Sequence, residues 1–184
     1  MPAPNEYSQM ISETAASLSI PPAIALALVQ VESGGDPTAW RPEPRYNYLW
    51  NVKANKPFRQ LTPAELASKL APPDFPAPSD TGAQGEFEGQ QASWGLGQLM
   101  GANARALGFT GKFLTGLVFD PAEGLRLALL HLSKIQEQFL PSTGWQGVMA
   151  AYNAGSPRKN PDGTWENQAY VDKVGVALGG RWPA

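Results

Sequence analysis

The chain has 184 residues, of which 42% are hydrophobic, so it is long enough to bury a core and is not disordered by composition. Its 14 Lys and Arg residues stand against 16 Asp and Glu residues, and no basic tract offers a surface for nucleic acid. The chain has no cysteine and a single histidine, His131, which excludes thiolate metal sites and a cysteine nucleophile and argues against a zinc site or a Ser-His-Asp triad.

The N-terminal residues predict a short helix and no membrane segment. Asn5 is a candidate N-cap for a helix that runs to about Leu18. The start, Met1 to Tyr7, lacks a basic n-region, so we expect that it is not a signal peptide. The longest apolar stretch, Ile20 to Val31, is interrupted by two prolines and a glutamine, so we expect no transmembrane span.

A second helix is predicted from about Pro21-Pro22, with Ser19 as its cap, to the stop at Gly34-Gly35. Its apolar face is carried by Ile24, Leu28 and Val31. Glu32 follows in the last turn, where the helix dipole and burial both disfavour a carboxylate. This position predicts a glutamic acid that stays protonated near neutral pH, the state that a general acid needs. The alternative is a solvated glutamate at a helix end.

Residues 40–93 have a different composition, rich in proline, glycine and aromatic residues, and predict a long insertion. One short helix is expected behind Thr62-Pro63. The stretch from Pro72 to Gly89 has no apolar periodicity and predicts a long, mobile loop.

Helical patterns return in the last third of the chain. Asp120-Pro-Ala-Glu123 predicts a capping box, and the helix behind it is expected to end at Pro141. A further helix ends at Gly155, and a last one starts at about Asn167. No strand is predicted anywhere, so the fold class is all-α, a single domain over residues 1–184 with an insertion at about 40–93.

Four segments together resemble motifs of the soluble lytic transglycosylases, a lysozyme-like family that degrades bacterial murein. They occur in the family's order and are Val29-Gln-Val-Glu-Ser-Gly-Gly-Asp-Pro37, Gly95-Leu-Gly-Gln-Leu-Met100, Ala150-Ala-Tyr-Asn-Ala-Gly155 and Tyr170-Val-Asp-Lys-Val174. Each match is weak by itself, whereas four in order are a specific signal. Gly97 departs from the family pattern, which usually has methionine at this position.

The resemblance implies a role for each matching residue. Glu32 corresponds to the catalytic acid, and the residues that correspond to substrate-binding or acid-positioning side chains are Ser33, Gln98, Tyr152, Asn153 and Tyr170. Taken singly, the two tyrosines could equally be core residues, and the two amides could be ordinary turn or cap residues. Tyr46, Tyr48 and Trp50 could stack on glycan or simply pack the insertion onto the body.

The implied reaction is cleavage of the β-1,4 bond between N-acetylmuramic acid and N-acetylglucosamine, with formation of a 1,6-anhydro ring and without any cofactor or metal. A muramidase resembling goose-type lysozyme, in which Glu88 assists Glu32, is the closest alternative. Glu86 is a candidate for such a second acid alongside Glu88, whereas Asp36 is expected to be a turn residue before Pro37. Because both glutamates stand in a Gly- and Gln-rich segment, we expect them to be solvated side chains. A non-catalytic wall-binding or structural module is the other alternative.

The expected partner is the peptidoglycan glycan strand, with no nucleic acid and no integral membrane segment, and we expect a monomer. The site of action is expected to be the periplasm or cell wall. Without a signal peptide, the protein would be phage-encoded, virion-associated or delivered by other machinery.

Overall fold

The computed structural model describes residues 7–78 and 82–183, which form eight helices and five short strands. The helices are α1 (Ser8–Ser17), α2 (Pro22–Glu32), α3 (Pro63–Ser68), α4 (Ala83–Gln90), α5 (Gly101–Ala106), α6 (Gly116–Phe119), α7 (Pro121–Ala154) and α8 (Gln168–Ala177). The strands are β1 (Trp40–Pro42), β2 (Trp50–Asn51), β3 (Lys56–Pro57), β4 (Ala92–Trp94) and β5 (Leu99–Met100). The all-α class is confirmed. Asn5, the expected first cap, lies outside the described residues.

The chain divides into two compact units. The first comprises Met1–Gly35 and Leu129–Ala184, and the second comprises Asp36–Ala128. No helix in the described part of the chain is both long and apolar enough to cross a membrane.

In the first unit, α2 packs against α1 and α8. Its buried residues are Ile24, Ala25, Ala27, Leu28 and Val29. The predicted stop is confirmed, because the helix ends at Glu32 and both Gly34 and Gly35 have positive φ. The predicted cap is wrong: Pro21 occupies the N-cap position, and Ser19 is in the left-handed region with φ 56°.

The predicted capping box at the start of α7 is half formed. The Glu123 backbone N–H donates to Asp120 Oδ1 at 3.1 Å, as expected for a cap. The Glu123 carboxylate instead accepts from Arg126 Nε at 2.7 Å, and the Asp120 backbone N–H donates to the Gly116 carbonyl at 2.9 Å. The second half of the box is therefore replaced by a surface ion pair.

The helix does not end at Pro141 as predicted. Pro141 lies inside α7, and the break comes at Gly144, with φ 63° and ψ −176°. An interior proline lacks one N–H donor and crowds the preceding turn, but its φ is close to the helical value, so a helix can continue past it at a cost in stability. The backbone conformation of Gly144, by contrast, is strained for any residue other than glycine. After the break, Trp145, Val148 and Met149 are buried in the first unit.

The second unit contains strands that sequence periodicity did not predict. β1, β4 and β5 form an antiparallel sheet in the order β1-β4-β5, with Trp40 opposite Trp94 and Trp94 opposite Leu99. β2 and β3 pair separately. Each strand has only two or three residues, which is too short to show an alternating pattern.

The segment expected to be a loop from Pro72 to Gly89 instead ends in α4. This helix lacks an apolar stripe, but Phe87 packs in a cluster with Leu49, Leu61, Phe75 and Ala102. Glu86 is also buried and pairs with Arg105 of α5 at 2.8 Å. Burial against α5 therefore stabilises a helix that local sequence did not indicate. The short helix behind Thr62 is confirmed as α3, with a complete capping box between Thr62 and Glu65.

The buried Glu86–Arg105 pair generates a stability prediction. Arg105→Met leaves the Glu86 carboxylate buried without its cation, so the free energy of unfolding should fall by about 3–5 kcal/mol. Urea unfolding followed by circular dichroism measures this change.

The matched control is Arg126→Met, which removes an exposed pair and should cost less than about 1 kcal/mol. The double variant Glu86→Gln/Arg105→Met should recover part of the loss. Equal, small effects of Arg105→Met and Arg126→Met would contradict a stabilising role for the buried pair.

Candidate active site

The Glu32 side chain, at the end of α2, accepts a short hydrogen bond from α8. The Tyr170 hydroxyl donates to Glu32 Oε1 at 2.6 Å, and both side chains are partly buried. The packing of α8 against α2 brings these residues together from opposite ends of the chain. A short O–H···O⁻ bond of this kind fixes the orientation of a carboxyl group.

Tyr152, on the last turns of α7, belongs to the same polar cluster. Burial, and secondarily the charge of Glu32, raises the pKa of Tyr152 well above its usual value. The same two causes, in the same order, raise the pKa of Tyr170, and the hydrogen bond to Glu32 adds to the shift. Both side chains therefore remain phenols, able to donate, at any pH at which the protein would act.

His131 packs against Tyr152 and is uncharged near neutral pH. Its ring lies 5.6 Å from the Tyr152 ring, centroid to centroid, with the planes tilted by 59°. Burial, with a smaller contribution from Lys134, lowers the pKa of His131 to about 4. The neutral imidazole packs against the Tyr152 ring.

Asn153 is exposed and is held from α8. Asn167 Nδ2 donates to Asn153 Oδ1 at 2.9 Å and to the Ala150 carbonyl at 3.1 Å. Asn167 also precedes α8 in the N-cap position. It thus links the Tyr152–Asn153 turn to the helix that carries Tyr170. Sequence reasoning placed Asn167 only at a helix start, although an amide at a cap is a signal that could have been followed.

Ser33 shapes the turn that follows Glu32. Its hydroxyl donates to the Val29 carbonyl at 3.1 Å and accepts from the Gly35 backbone N–H at 3.2 Å. These bonds satisfy backbone groups at the helix end, where carbonyl and amide groups lack helical partners.

Gln98 belongs to the second unit, where its side chain forms hydrogen bonds that stabilise the turn around Gly95. Its Oε1 accepts from the Ser93 hydroxyl at 2.9 Å, and its Nε2 donates to the Ala39 carbonyl at 3.1 Å and to the Gly95 carbonyl at 3.0 Å. The residue has a positive φ of 48°, which these bonds help to hold.

The other acidic candidates differ in their surroundings. Glu86 is enclosed with Arg105, whose guanidinium binds both carboxylate oxygens at 2.9 and 2.8 Å. It is therefore not the solvated side chain expected from the sequence. Glu88 is exposed and accepts from Gln84 Nε2 at 2.8 Å, while Asp36 accepts from Thr38 in a surface turn.

The aromatic residues of the insertion differ in how far they are buried. The Tyr46 hydroxyl donates to Asn103 Oδ1 at 3.2 Å, and burial raises the pKa of Tyr46 to about 12. Tyr46 therefore packs the insertion onto α5, in line with the second of the two sequence interpretations. Tyr48 is exposed, and the Trp50 backbone N–H donates to Gln90 Oε1 at 2.7 Å.

Within the described residues no group of three or more His, Cys, Asp or Glu side chains is placed to hold a metal ion. The side chains shown above to interact with Glu32, those of Tyr152 and Tyr170, are uncharged phenols.

Comparison with known protein families matches residues 9–172 to the transglycosylase SLT domain. No curated protein and no solved structure gives a significant match. The family match covers most of the chain, including the first three motifs and residues 170–172 of the fourth, and confirms both the resemblance and the lysozyme-like helical class. The chain therefore belongs to the transglycosylase SLT domain family.

Proposed function

We propose that the protein is a lytic transglycosylase that cleaves the β-1,4 bond between N-acetylmuramic acid and N-acetylglucosamine, with Glu32 as acid and then base. Membership of the family indicates transglycosylase-type degradation of peptidoglycan. The observation that carries the finer assignment is the 2.6 Å hydrogen bond from Tyr170 to Glu32 Oε1. It orients a carboxyl group that lies beside two uncharged phenols, Tyr152 and Tyr170, at the end of an apolar helix.

In the first step, protonated Glu32 gives its proton to the glycosidic oxygen, and the bond from that oxygen to C1 of the muramic sugar breaks. Because Tyr170 donates to Oε1, the transferable proton belongs on Oε2. The hydrogen bond also favours the carboxylate that forms, which lowers the cost of this step.

In the second step, the Glu32 carboxylate takes the proton of the muramic 6-hydroxyl while that oxygen bonds to C1. This closes the 1,6-anhydro ring and returns Glu32 to its protonated form, so no water is consumed. A single acid therefore serves both steps, and neither a metal nor a cofactor is needed.

The remaining residues of the set are proposed to bind substrate or to position the acid. Tyr152 and Tyr170 hold Glu32, and Asn153, fixed by Asn167, presents its amide N–H donors to an N-acetyl group. Ser33 sets the turn beside the acid, and Gln98 is assigned to substrate binding from the family motif alone.

The environments of the acidic residues favour this chemistry over a muramidase. An inverting hydrolase needs a second carboxylate that activates water. Glu86 is committed to Arg105 in the core, so it cannot readily act as a base. Glu88 is left as an exposed candidate, and its contribution is open to direct test.

Glu32→Gln should reduce the clearing of purified murein suspensions by at least about 100-fold, because the amide keeps the shape but cannot donate the proton. The matched control is Glu137→Gln, which changes an exposed glutamate on α7 and should leave activity unaltered. Circular dichroism should show both variants folded. A Glu32→Gln enzyme that retains most of its activity would exclude Glu32 as the acid.

Mass spectrometry of digested murein should show 1,6-anhydromuropeptides as the main product, because the substrate's own hydroxyl is the nucleophile. Glu88→Gln should leave both rate and products close to those of the unchanged protein. Products with ordinary reducing ends, lost in Glu88→Gln, would instead identify a muramidase in which Glu88 is the base.

A further inference from the structure

The two helices that carry Glu32 and Tyr170 also line an open pocket of about 750 Å³, which lies within the first unit. α2 contributes Gln30 and Val31 to this pocket, and Val31 directly precedes Glu32. α8 contributes Lys173, which follows Tyr170 by three residues. Residues three apart share one side of a helix and are separated by about 4.5 Å along its axis. The pocket therefore lies within one helical turn of the Glu32–Tyr170 hydrogen bond.

Among the residues that the structure describes, two cations and no acid line this pocket. The cations are Lys173 and Arg181, and both are exposed. Within the described part of the chain, neither side chain forms an ion pair or a hydrogen bond. The neighbouring acid, Asp172, lines a different pocket and accepts a hydrogen bond from Gln168 Nε2 at 2.8 Å. The pocket thus carries two unpaired positive charges, which complement an anionic ligand.

The lining between the two cations is uncharged and largely apolar. It consists of Val176, Ala177, Leu178 and Gly179, and Val176 is 80% exposed. The volume exceeds what a single carboxylate or phosphate group needs and falls within the range of roughly 300–1,000 Å³ that is typical of pockets for larger ligands. An apolar strip between two cations suits a short peptide that has small apolar side chains and more than one carboxylate.

The substrate of the proposed function carries its anionic groups on such a peptide. Both sugars of the glycan are N-acetylated and therefore neutral. The muramic 6-hydroxyl must be free, because it is the nucleophile of the second step, so no anion can be attached there. The lactyl group on the muramic 3-oxygen is joined through an amide to the stem peptide. The carboxylates of an intact strand are therefore those of the stem peptide.

We propose that this pocket binds the stem peptide of the strand being cleaved, with Lys173 and Arg181 pairing with its carboxylates, so that the enzyme prefers peptide-bearing strands to peptide-free glycan. The proposal rests on the proposed function, which supplies the identity of the polymer. A peptide held one helical turn from Tyr170 ties the muramic sugar to the helix that orients Glu32. The two cations are specificity residues, since neither is assigned a step in the reaction.

The test uses the double variant Lys173→Gln/Arg181→Gln and soluble, uncross-linked glycan strands that carry stem peptides with acetylated amino groups. The variant should lose roughly five- to tenfold in kcat/KM, because two charge-assisted contacts with the peptide are removed. The loss should appear mainly as a higher KM, since these contacts are the same in the bound substrate and in the transition state.

The matching change on the ligand is amidation of the same strands with carbodiimide and ammonia, which converts their carboxylates into uncharged amides. On amidated strands the unchanged protein should fall to the kcat/KM of the double variant, and the two proteins should be equally active. A loss in the double variant that is as large on amidated strands as on charged ones would overturn the proposal.

Two control variants separate the position of the charges from their number. Lys53→Gln/Lys56→Gln removes two exposed lysines of the second unit and should keep the preference of the unchanged protein for charged strands. Lys173→Arg/Arg181→Lys keeps both charges in the pocket and should retain most of that preference. An equal loss in the Lys53→Gln/Lys56→Gln control would show that net charge, and not this pocket, sets the preference.

Glycan strands stripped by an amidase distinguish the stem peptide from the lactyl group, because they lack the peptide but expose the lactyl carboxylate. The unchanged protein and Lys173→Gln/Arg181→Gln should cleave these strands equally slowly. A defect of the double variant that persists on stripped strands would assign the cations to the lactyl carboxylate and overturn their assignment to the stem peptide.

The pocket proposal and the proposed function fail in different ways. If the unchanged protein cleaves peptide-bearing strands and Lys173→Gln/Arg181→Gln cleaves them equally well, the pocket does not bind the stem peptide. If the unchanged protein cleaves none of these strands, the proposed function itself is wrong and the peptide assignment falls with it. Circular dichroism identifies a variant that has lost its fold, and the single variants Lys173→Gln and Arg181→Gln supply the result if the double variant does not fold.

Discussion

A carboxyl group at the C-terminal end of an apolar helix must be held by neighbours if it is to take one orientation and change its protonation state. At the end of α2 the Tyr170 hydroxyl supplies that hold, 2.6 Å from Glu32 Oε1. The hydrogen bond exists only because α8 packs on α2 and because Asn167 ties the start of α8 to the end of α7. The packing of α2, α7 and α8 therefore positions the two side chains of this hydrogen bond.

The proposed acid also requires that the aromatic side chains near Glu32 carry no charge. Tyr152 and Tyr170 stay protonated because burial and the charge of Glu32 raise the pKa of each. His131 stays uncharged because burial lowers its pKa to about 4. A cation beside Glu32 would favour its carboxylate form and so leave less of the protonated form that the first step requires. Packing a histidine here is compatible with the proposed acid only because the imidazole remains neutral.

Local signals in the sequence were sufficient to predict the helix that carries Glu32. Prolines at its start and glycines at its end act through backbone conformation alone, so they can be interpreted without knowledge of the fold. The match of four motifs to a family then brought Tyr152 and Tyr170 into the site, which periodicity by itself assigned equally well to a core.

The insertion was predicted poorly because its structure depends on distant partners. α4 lacks an apolar stripe and forms around Phe87 and the buried pair of Glu86 with Arg105, contacts that no local pattern reveals. The same helix forms one wall of a groove beside Trp40. The insertion thus adds a largely apolar groove to the domain.

The pH dependence of Tyr170→Phe tests the role of the central hydrogen bond most directly. The donor favours the Glu32 carboxylate, so its removal should keep Glu32 protonated to higher pH. The alkaline limb of the kcat/KM profile should therefore move to higher pH, with a rate loss of roughly 10–100-fold at the optimum. An unchanged profile at full activity, or a limb that moves to lower pH, would show that Tyr170 does not control the catalytic acid.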